Sequence, residues 1–357
     1  MVYLAEPENL GELLGDEPRY RADQLSDWLY RTPVLDAASM TNLPQSLRET
    51  IAPSLWPFEP IIDQEGDGGT TRKWLLRCSD GSQIETVLMG YASRTTLCIS
   101  SQVGCAMGCT FCATGQFGFD RHLHAGEIVA QVAYANAYLQ ERPLPRSPER
   151  VTNVVFMGMG EPLANYKHTR ESIRRMVETM GMSARSITVS TVGFVPGMRK
   201  LIDEPWPVNL AVSLHSTIPS ERTKLVPIND RYPIEDVVDA ARDYYEAKGR
   251  RVSLEWTLIA GENDSDEEAV GLARIARDIK AHVNVIALNP TPLSTDLPPD
   301  RDHIRRFLST LSREGANVTL RDTRGQDIDA ACGQLRLRAE NEGKKAIPIA
   351  PPTLNRG

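Results

Sequence analysis

Three cysteines fall within eight residues of the chain: Cys105, Cys109 and Cys112 in the stretch CAMGCTFC. Thiolates at this density bind metal, yet a CxxxCxxC array leaves a four-ligand centre one ligand short. Two chemistries fit. One is a structural zinc completed by a distant residue, although zinc ligands more often come as two CxxC pairs and the sequence has no second pair. The other is a [4Fe-4S] cluster in which one iron is left unligated by protein. Cys332 stands alone in DAACGQL, and Cys98, in TLCIS, reads from the sequence alone as an apolar strand residue. A single buried cysteine is most often an inert packing group, and Cys78 lies in no motif.

These residues need a compartment and a scaffold. The chain has 357 residues, 41% hydrophobic and 24% charged, which is ordinary for a globular protein of roughly two domains. No apolar run approaches the roughly 18 residues of a membrane span, and MVYLAEPENLGELLG lacks the basic and apolar segments of a signal peptide. A cytoplasmic location without membrane contact is therefore expected, and there six cysteines serve metal or catalysis rather than a disulfide framework. A net charge of −7 argues against a broad polyanion-binding surface, so any nucleic acid is expected to meet local basic patches. Candidates are the run RYRADQLSDWLYR, with Tyr20, Leu25, Trp28 and Leu29 near one helical face, and the arginines 301, 305, 306, 313, 321 and 324.

Residues 1–60 carry helical signals, closed by the proline-rich WPFEP. Residues 61–95 read as a β connector, with KWLLRC and IETVLM around the turn SDGS. From residue 96 onward, β-rich runs alternate with amphipathic helices. The runs are TLCIS, NVVFMG, SITVST, VNLAVSL, VSLEWTLI and VNVIALN, with NVTLRDT as a seventh at the edge. Alternating βα units predict a parallel sheet under helices, here an α/β partial (β/α)6 barrel of the TIM type. The tail 339–357, polar and then proline-rich, is expected to be poorly ordered.

In such a barrel the chemistry gathers at the C-terminal ends of the strands. The CxxxCxxC loop, GMGEPL, STVG, SLHS and NPTP all follow strand runs and so share one rim. Read singly, each has a plainer explanation: a glycine turn for GMGEP, strand-end caps for Ser190 and Ser213, a structural imidazole for His215. Glu85 in IETVLM, by alternation alone, faces solvent.

Taken together, CAMGCTFCATGQFGF, VFMGMGEPL, STVG, SLH, LNPTP and DIDAACGQL resemble the radical S-adenosylmethionine superfamily and, within it, the RlmN family of adenosine C2 methyltransferases. The likeness runs from about residue 20 to 338. It implies a radical S-adenosylmethionine barrel over 96–338 with a C-terminal extension carrying Cys332, and a small helical RNA-contacting domain before it. Cys105, Cys109 and Cys112 would hold a [4Fe-4S] cluster whose open iron chelates S-adenosylmethionine. Gly160 and Glu161 would hold the methionine ammonium, with Ser190, Ser213, Leu214, His215 and Asn289 lining the rest of that site.

The resemblance also implies a two-stage reaction using two molecules of S-adenosylmethionine. Cys332 takes a methyl group from the first; the second yields a 5′-deoxyadenosyl radical that activates this S-methylcysteine for addition to carbon 2. Cys98 then acts as the resolving thiol, forming a transient disulfide with Cys332, and Glu85 as proton acceptor. The implied partners are 23S rRNA, certain tRNAs and an electron donor such as a flavodoxin system, with the protein working as a monomer. Two other readings stay open at this level: a Cfr-type enzyme acting at carbon 8, and a non-catalytic RNA-binding metalloprotein.

Overall fold

The computed structural model describes residues 1–335 apart from 290, 292, 293, 322, 323 and 332. Cys332 and the tail 339–357 therefore lie outside the described residues. Twelve strands are present among those described: β1 Phe58–Gly66, β2 Thr71–Cys78, β3 Gln83–Tyr91, β4 Arg94–Cys98, β5 Gln102–Gly104, β6 Phe119–His122, β7 Asn153–Phe156, β8 Ile187–Thr191, β9 Asn209–Ser213, β10 Ser253–Leu258, β11 His282–Ala287 and β12 Asn317–Leu320. Ten form one sheet in the order β1-β2-β3-β4-β7-β8-β9-β10-β11-β12, and β5 pairs with β6 as a separate hairpin.

The sheet changes character at β4. From β1 to β4 every pairing is antiparallel, and from β4 to β12 every pairing is parallel. The parallel part is the partial barrel with its seventh strand at the edge. The antiparallel part continues it without a break. β1 starts inside WPFEP, and Pro60 is accommodated because it sits at a register shift on the terminal strand, where a missing N–H breaks no ladder.

The helices of the parallel half have local causes. Ala125–Glu141 begins with a capping box: the His124 ring accepts from Gly126 N, and the Glu127 carboxylate accepts from His124 N. Ser265 and Asp300 cap Asp266–Asp278 and Arg301–Arg313 with side-chain oxygens, and Ile234–Lys248 stops at Gly249 in the left-handed conformation. One helix without strong periodicity in the sequence, Val195–Asp203, fills the space between β8 and β9.

Alternation along the parallel strands creates the interior. Val154, Val189, Leu210, Val212, Leu254, Trp256, Val283 and Val285 are fully buried and pack beneath the helical layer. The alternate positions Val155, Ser190, Ser213, Glu255, Thr257 and Ile286 instead line internal cavities. The barrel is thus packed on its outside and left open within.

The N-terminal helices, among them Tyr20–Ser26 and Gln45–Ile51, join the same hydrophobic core. Trp56 stacks on Tyr3 and meets Tyr134 edge-on, while Trp74 of β2 contacts Tyr134 and Tyr138, so aromatic rings tie this region to β2 and to helix Ala125–Glu141. Leu25 and Leu29 are buried as expected, whereas Tyr20 is 52% exposed and stands off that face with Arg21 over its ring. No helix among the described residues is long and apolar enough to cross a membrane.

Candidate active site

The GMGEP segment is stitched to the chain that leads into the cysteine loop. Ser101 N and Gln102 N both donate to Met159 O, and the Gln102 side chain accepts from Glu161 N at 2.7 Å. This proximity requires glycine at two places. A Cβ on Gly158 would lie 2.6 Å from Ile99 O, and Gly160 holds φ +99° with Gln102 where its side chain would be. The turn therefore presents Glu161 inward by sterics as well as hydrogen bonds.

The cysteine loop leans on the helix Pro219–Leu225, through Thr110 N donating to Leu225 O, and closes on itself through Gln116 Nε2 donating to Thr110 O. Phe111 packs edge-on against His215, with ring centroids 4.6 Å apart. The loop and the strand ends then border a cleft that is open at its mouth. Cys105, Cys109, Cys112, Gly160, Glu161, Ser190, Ser213 and His215 all line it. Leu214 and Asn289 do not. Leu214 is buried in the core, its carbonyl accepting from Arg222 Nε, and Asn289 accepts from Gln326 Nε2 of the C-terminal segment.

Electrostatically this cleft wants a cation. Burial pushes the Cys105 thiol up to about 12 and Cys109 well above its ordinary value, and the thiols raise one another. Burial also lifts Glu161 to about 7, against the backbone N–H groups of Leu163 and Val192 that its two oxygens accept at 3.0 Å. No Lys or Arg among the described residues forms an ion pair with it. Three thiols that disfavour one another's ionisation and a buried carboxyl without a counter-charge fit an iron–sulfur cluster beside an ammonium-bearing ligand.

His215 is neutral by construction. Burial, assisted by Arg222, depresses it to about 3; its Nδ1 accepts from Thr257 N at 3.0 Å, which leaves the proton on Nε2. Its backbone is left-handed at φ +62°. Arg222, itself fully buried, donates to Leu214 O, the Asn229 side chain and Val192 O, pinning the loops after β8 and β9 beneath Cys109.

A second cavity adjoins the first and shares Met157, Ile286 and Arg321 with it. Cys98 lines it, together with Tyr91, Arg324, Ala330, Ala331 and Leu335. Strand register explains the grouping. Val87 pairs with Cys98 on one side and Lys73 on the other, so these three share a face, and Glu85, two residues from Val87, points the same way. The alternation argument for a solvent-facing Glu85 fails because β3 is covered on both faces. Glu85 is 2% exposed and pairs with Lys73 at 3.3 Å.

The C-terminal segment crosses between these parts. Asp67 accepts from Gly325 N and donates its own N–H to Asp327, Arg324 donates to Thr70 Oγ1, and Lys73 donates to Asp329 O. At the other end Ala113 N donates to Gly333 O, and Thr114 Oγ1 to Leu335 O. Ala331 lines the second cavity and Gly333 the first. The pairing of Cys98 with Cys332 concerns a residue outside the described set, and Cys78, Cys105 and Cys109 are free thiols.

Several interior residues escaped the sequence reading. Glu255, held by Asn284 Nδ2 at 2.9 Å and Arg321 at 3.5 Å, faces the first cleft from an otherwise apolar strand. Lys73 and Arg222 likewise went unnoticed. For Glu255 and Lys73 the one signal is a charge in or at the start of an apolar run, VSLEWTLI and KWLLRC, whereas Arg222, in the polar run PSERTKL, carries none. Of the six C-terminal arginines, Arg321 and Arg324 line the inner cavities, whereas Arg305 pairs with Asp302 on the surface.

A three-thiol loop over the strand ends of a partial barrel, with a buried carboxyl across the cleft, defines a radical S-adenosylmethionine enzyme. Residues 99–273 match the model of the radical SAM superfamily, and residues 10–55 match that of the ribosomal RNA large subunit methyltransferase N-terminal domain. The crystal structure of a radical SAM methyltransferase from Sphaerobacter thermophilus superposes with a TM-score of 0.88 at 47% identity, covering 94% of this chain and 98% of that one. A probable dual-specificity RNA methyltransferase RlmN from Bifidobacterium adolescentis is 48% identical across 94% of this chain and 89% of its own length. The dual-specificity RNA methyltransferase RlmN 1 of Myxococcus xanthus is 44% identical across 93% and 92%. The chain belongs to the RlmN family.

Proposed function

We propose that this enzyme methylates carbon 2 of an adenosine in 23S rRNA and in certain tRNAs, through an S-methylated Cys332. The observation that carries the reading is the pair of adjoining cavities. One is walled by the three loop cysteines and Glu161, the other by Cys98, with Met157, Ile286 and Arg321 common to both. The names of the RlmN relatives supply the RNA substrate.

Cys105, Cys109 and Cys112 would hold the [4Fe-4S] cluster, and Glu161, Ser190, Ser213 and the Nε2–H of His215 would orient S-adenosylmethionine, one molecule for each of two stages. Cluster and S-adenosylmethionine supply the one-electron chemistry at this rim. Carbon 2 of adenine is electron-poor and does not displace a methyl group itself, whereas a thiolate does; this is the reason for Cys332. In the thioether that would join the methyl carbon of Cys332 to carbon 2, once one hydrogen atom has left that methyl for the 5′-deoxyadenosyl radical and the odd electron has been given up to the cluster, Glu85 takes the proton from carbon 2. The Cys98 thiolate attacks the sulfur of Cys332, an S–S bond forms, and the sulfur–carbon pair remains on carbon and is protonated to the methyl group. The base must be extruded from its stack to reach this depth.

The test is anaerobic reconstitution with iron and sulfide, then addition of S-adenosylmethionine, reductant and protein-free 23S rRNA, with the new methyl group located by mass spectrometry. Methyl on carbon 2 is expected. Methyl on carbon 8 would replace the regiochemistry proposed, and a zinc protein producing no 5′-deoxyadenosine would remove the enzymatic reading.

A further inference from the structure

Lys73 is almost completely buried, as is its partner Glu85, at 5% and 3% side-chain exposure. A lysine so placed loses the water that normally solvates its ammonium, and two fixed acceptors compensate: Glu85 Oε1 and the carbonyl of Asp329, each at 3.3 Å. Asp329 belongs to the segment that leads to Ala330 and Ala331 of the second cavity, and its left-handed backbone, φ +49°, is part of how its carbonyl meets the ammonium. Cross-strand register puts Lys73 in the same row as Cys98 and on the face of Glu85, within reach of a long side chain across a diagonal pair.

We infer that Lys73 is a positioning residue for proton removal in this site: its ammonium, paired with the Glu85 carboxylate, holds that carboxylate on the strand face that also carries Cys98. The inference rests on the reading of Glu85 as the proton acceptor. A carboxylate in so dry a place needs a counter-charge, and Lys73 pairs with it. Accepting a proton from carbon 2 leaves a neutral carboxyl beside the ammonium, which then retains Asp329 O as its acceptor. The proton thus moves without stranding the lysine.

The experiment compares the reconstituted wild-type enzyme with K73M, K73R, E85Q and the double variant K73M/E85Q. Three quantities are read: iron content and S-adenosylmethionine cleavage, covalent protein–RNA adduct on denaturing gels, and methylated RNA. K73M is expected to load iron and cleave S-adenosylmethionine, but to accumulate adduct and lose methylated product by about tenfold or more; K73R restores most of it. In the E85Q background the lysine change is expected to add almost nothing, because the two act as one unit. The double variant also removes both charges together, so it folds even where K73M alone does not. Adduct resolution in K73M at the wild-type rate, an equal loss in K73R, a block before adduct forms, or an undiminished effect of K73M in the E85Q background would each overturn the role of Lys73. Wild-type turnover by E85Q would instead overturn the reading of Glu85 on which it stands.

Discussion

The backbone N–H of Ala113, the residue after the last loop cysteine, donates to the carbonyl of Gly333 at 2.8 Å. The segment flanking residue 332 is therefore fastened to the cysteine loop, and whatever shifts that loop is felt by the C-terminal segment. Thr114 doubles the connection through Leu335 O at 2.9 Å.

Thr114→Val removes that buried donor at nearly constant shape. A net loss of about 1 kcal/mol is expected, more if the Leu335 carbonyl stays unpaired. Hydrogen exchange at residues 333–335 should accelerate about fivefold to tenfold with iron content unchanged; unaltered exchange would mean that the fastening lies elsewhere.

Cys105→Ala, Cys109→Ala and Cys112→Ala should each abolish iron loading and the brown absorbance of the reconstituted protein. Cys78→Ala should not, since Cys78 is buried apart from the cleft, where desolvation pushes its thiol up to about 12 and Glu127 adds to the shift. Iron and zinc assays on the four variants check this directly.

Glu161 is held up to about 7 by burial, above its ordinary 4.5. A raised carboxyl keeps its proton longer in the folded than in the unfolded state, so in the cofactor-free protein its burial costs nothing at low pH. The penalty grows as pH rises between those two values, to a few kcal/mol at most. Binding an ammonium needs the ionised form, so affinity for S-adenosylmethionine should rise as pH passes through about 7. Calorimetric titration on either side of that value, with Glu161→Gln weak and flat as the control, tests the sign.

His215 is neutral throughout the working range, because burial holds it near 3. No limb of the pH–rate profile should belong to it. His215→Asn should be tolerated better than His215→Ala, because asparagine accepts the left-handed backbone that alanine disfavours by about 1 kcal/mol; melting curves of the two variants give the comparison.

Cys332→Ala should methylate no RNA while retaining some cleavage of S-adenosylmethionine, and Cys98→Ala should accumulate the thioether adduct. Methylation by the first variant would refute the carrier role, and normal product release by the second would refute the resolving role.

The parallel strands were legible because most of them couple a β-branched run to a helix with clear periodicity, and the rim followed from strand polarity alone. Lys73, Glu85 and Glu255 were not legible as interior residues. Period-two alternation assigns a charge to solvent, and only the covering of β3 by other elements, together with a lumen left unpacked, makes room for charges inside. The continuity of β1–β4 with the barrel was equally hidden, because pairing between β4 and β7 is a long-range fact that WPFEP and its prolines seem to contradict on paper. Val195–Asp203 escaped notice because a proline and a glycine interrupt its pattern near the start.

The division of labour between the two faces of each parallel strand has an evolutionary consequence. Exchanging Val189 or Leu210 for something smaller opens a hole in a close-packed layer and costs about 1–5 kcal/mol, whereas Ser190 or Ser213, bordering open space, can change size with little effect on folding. Folding therefore constrains the lumen less than the neighbouring packed rows, so whatever keeps Ser190 and Ser213 as they are is their place beside the cleft and not the stability of the scaffold.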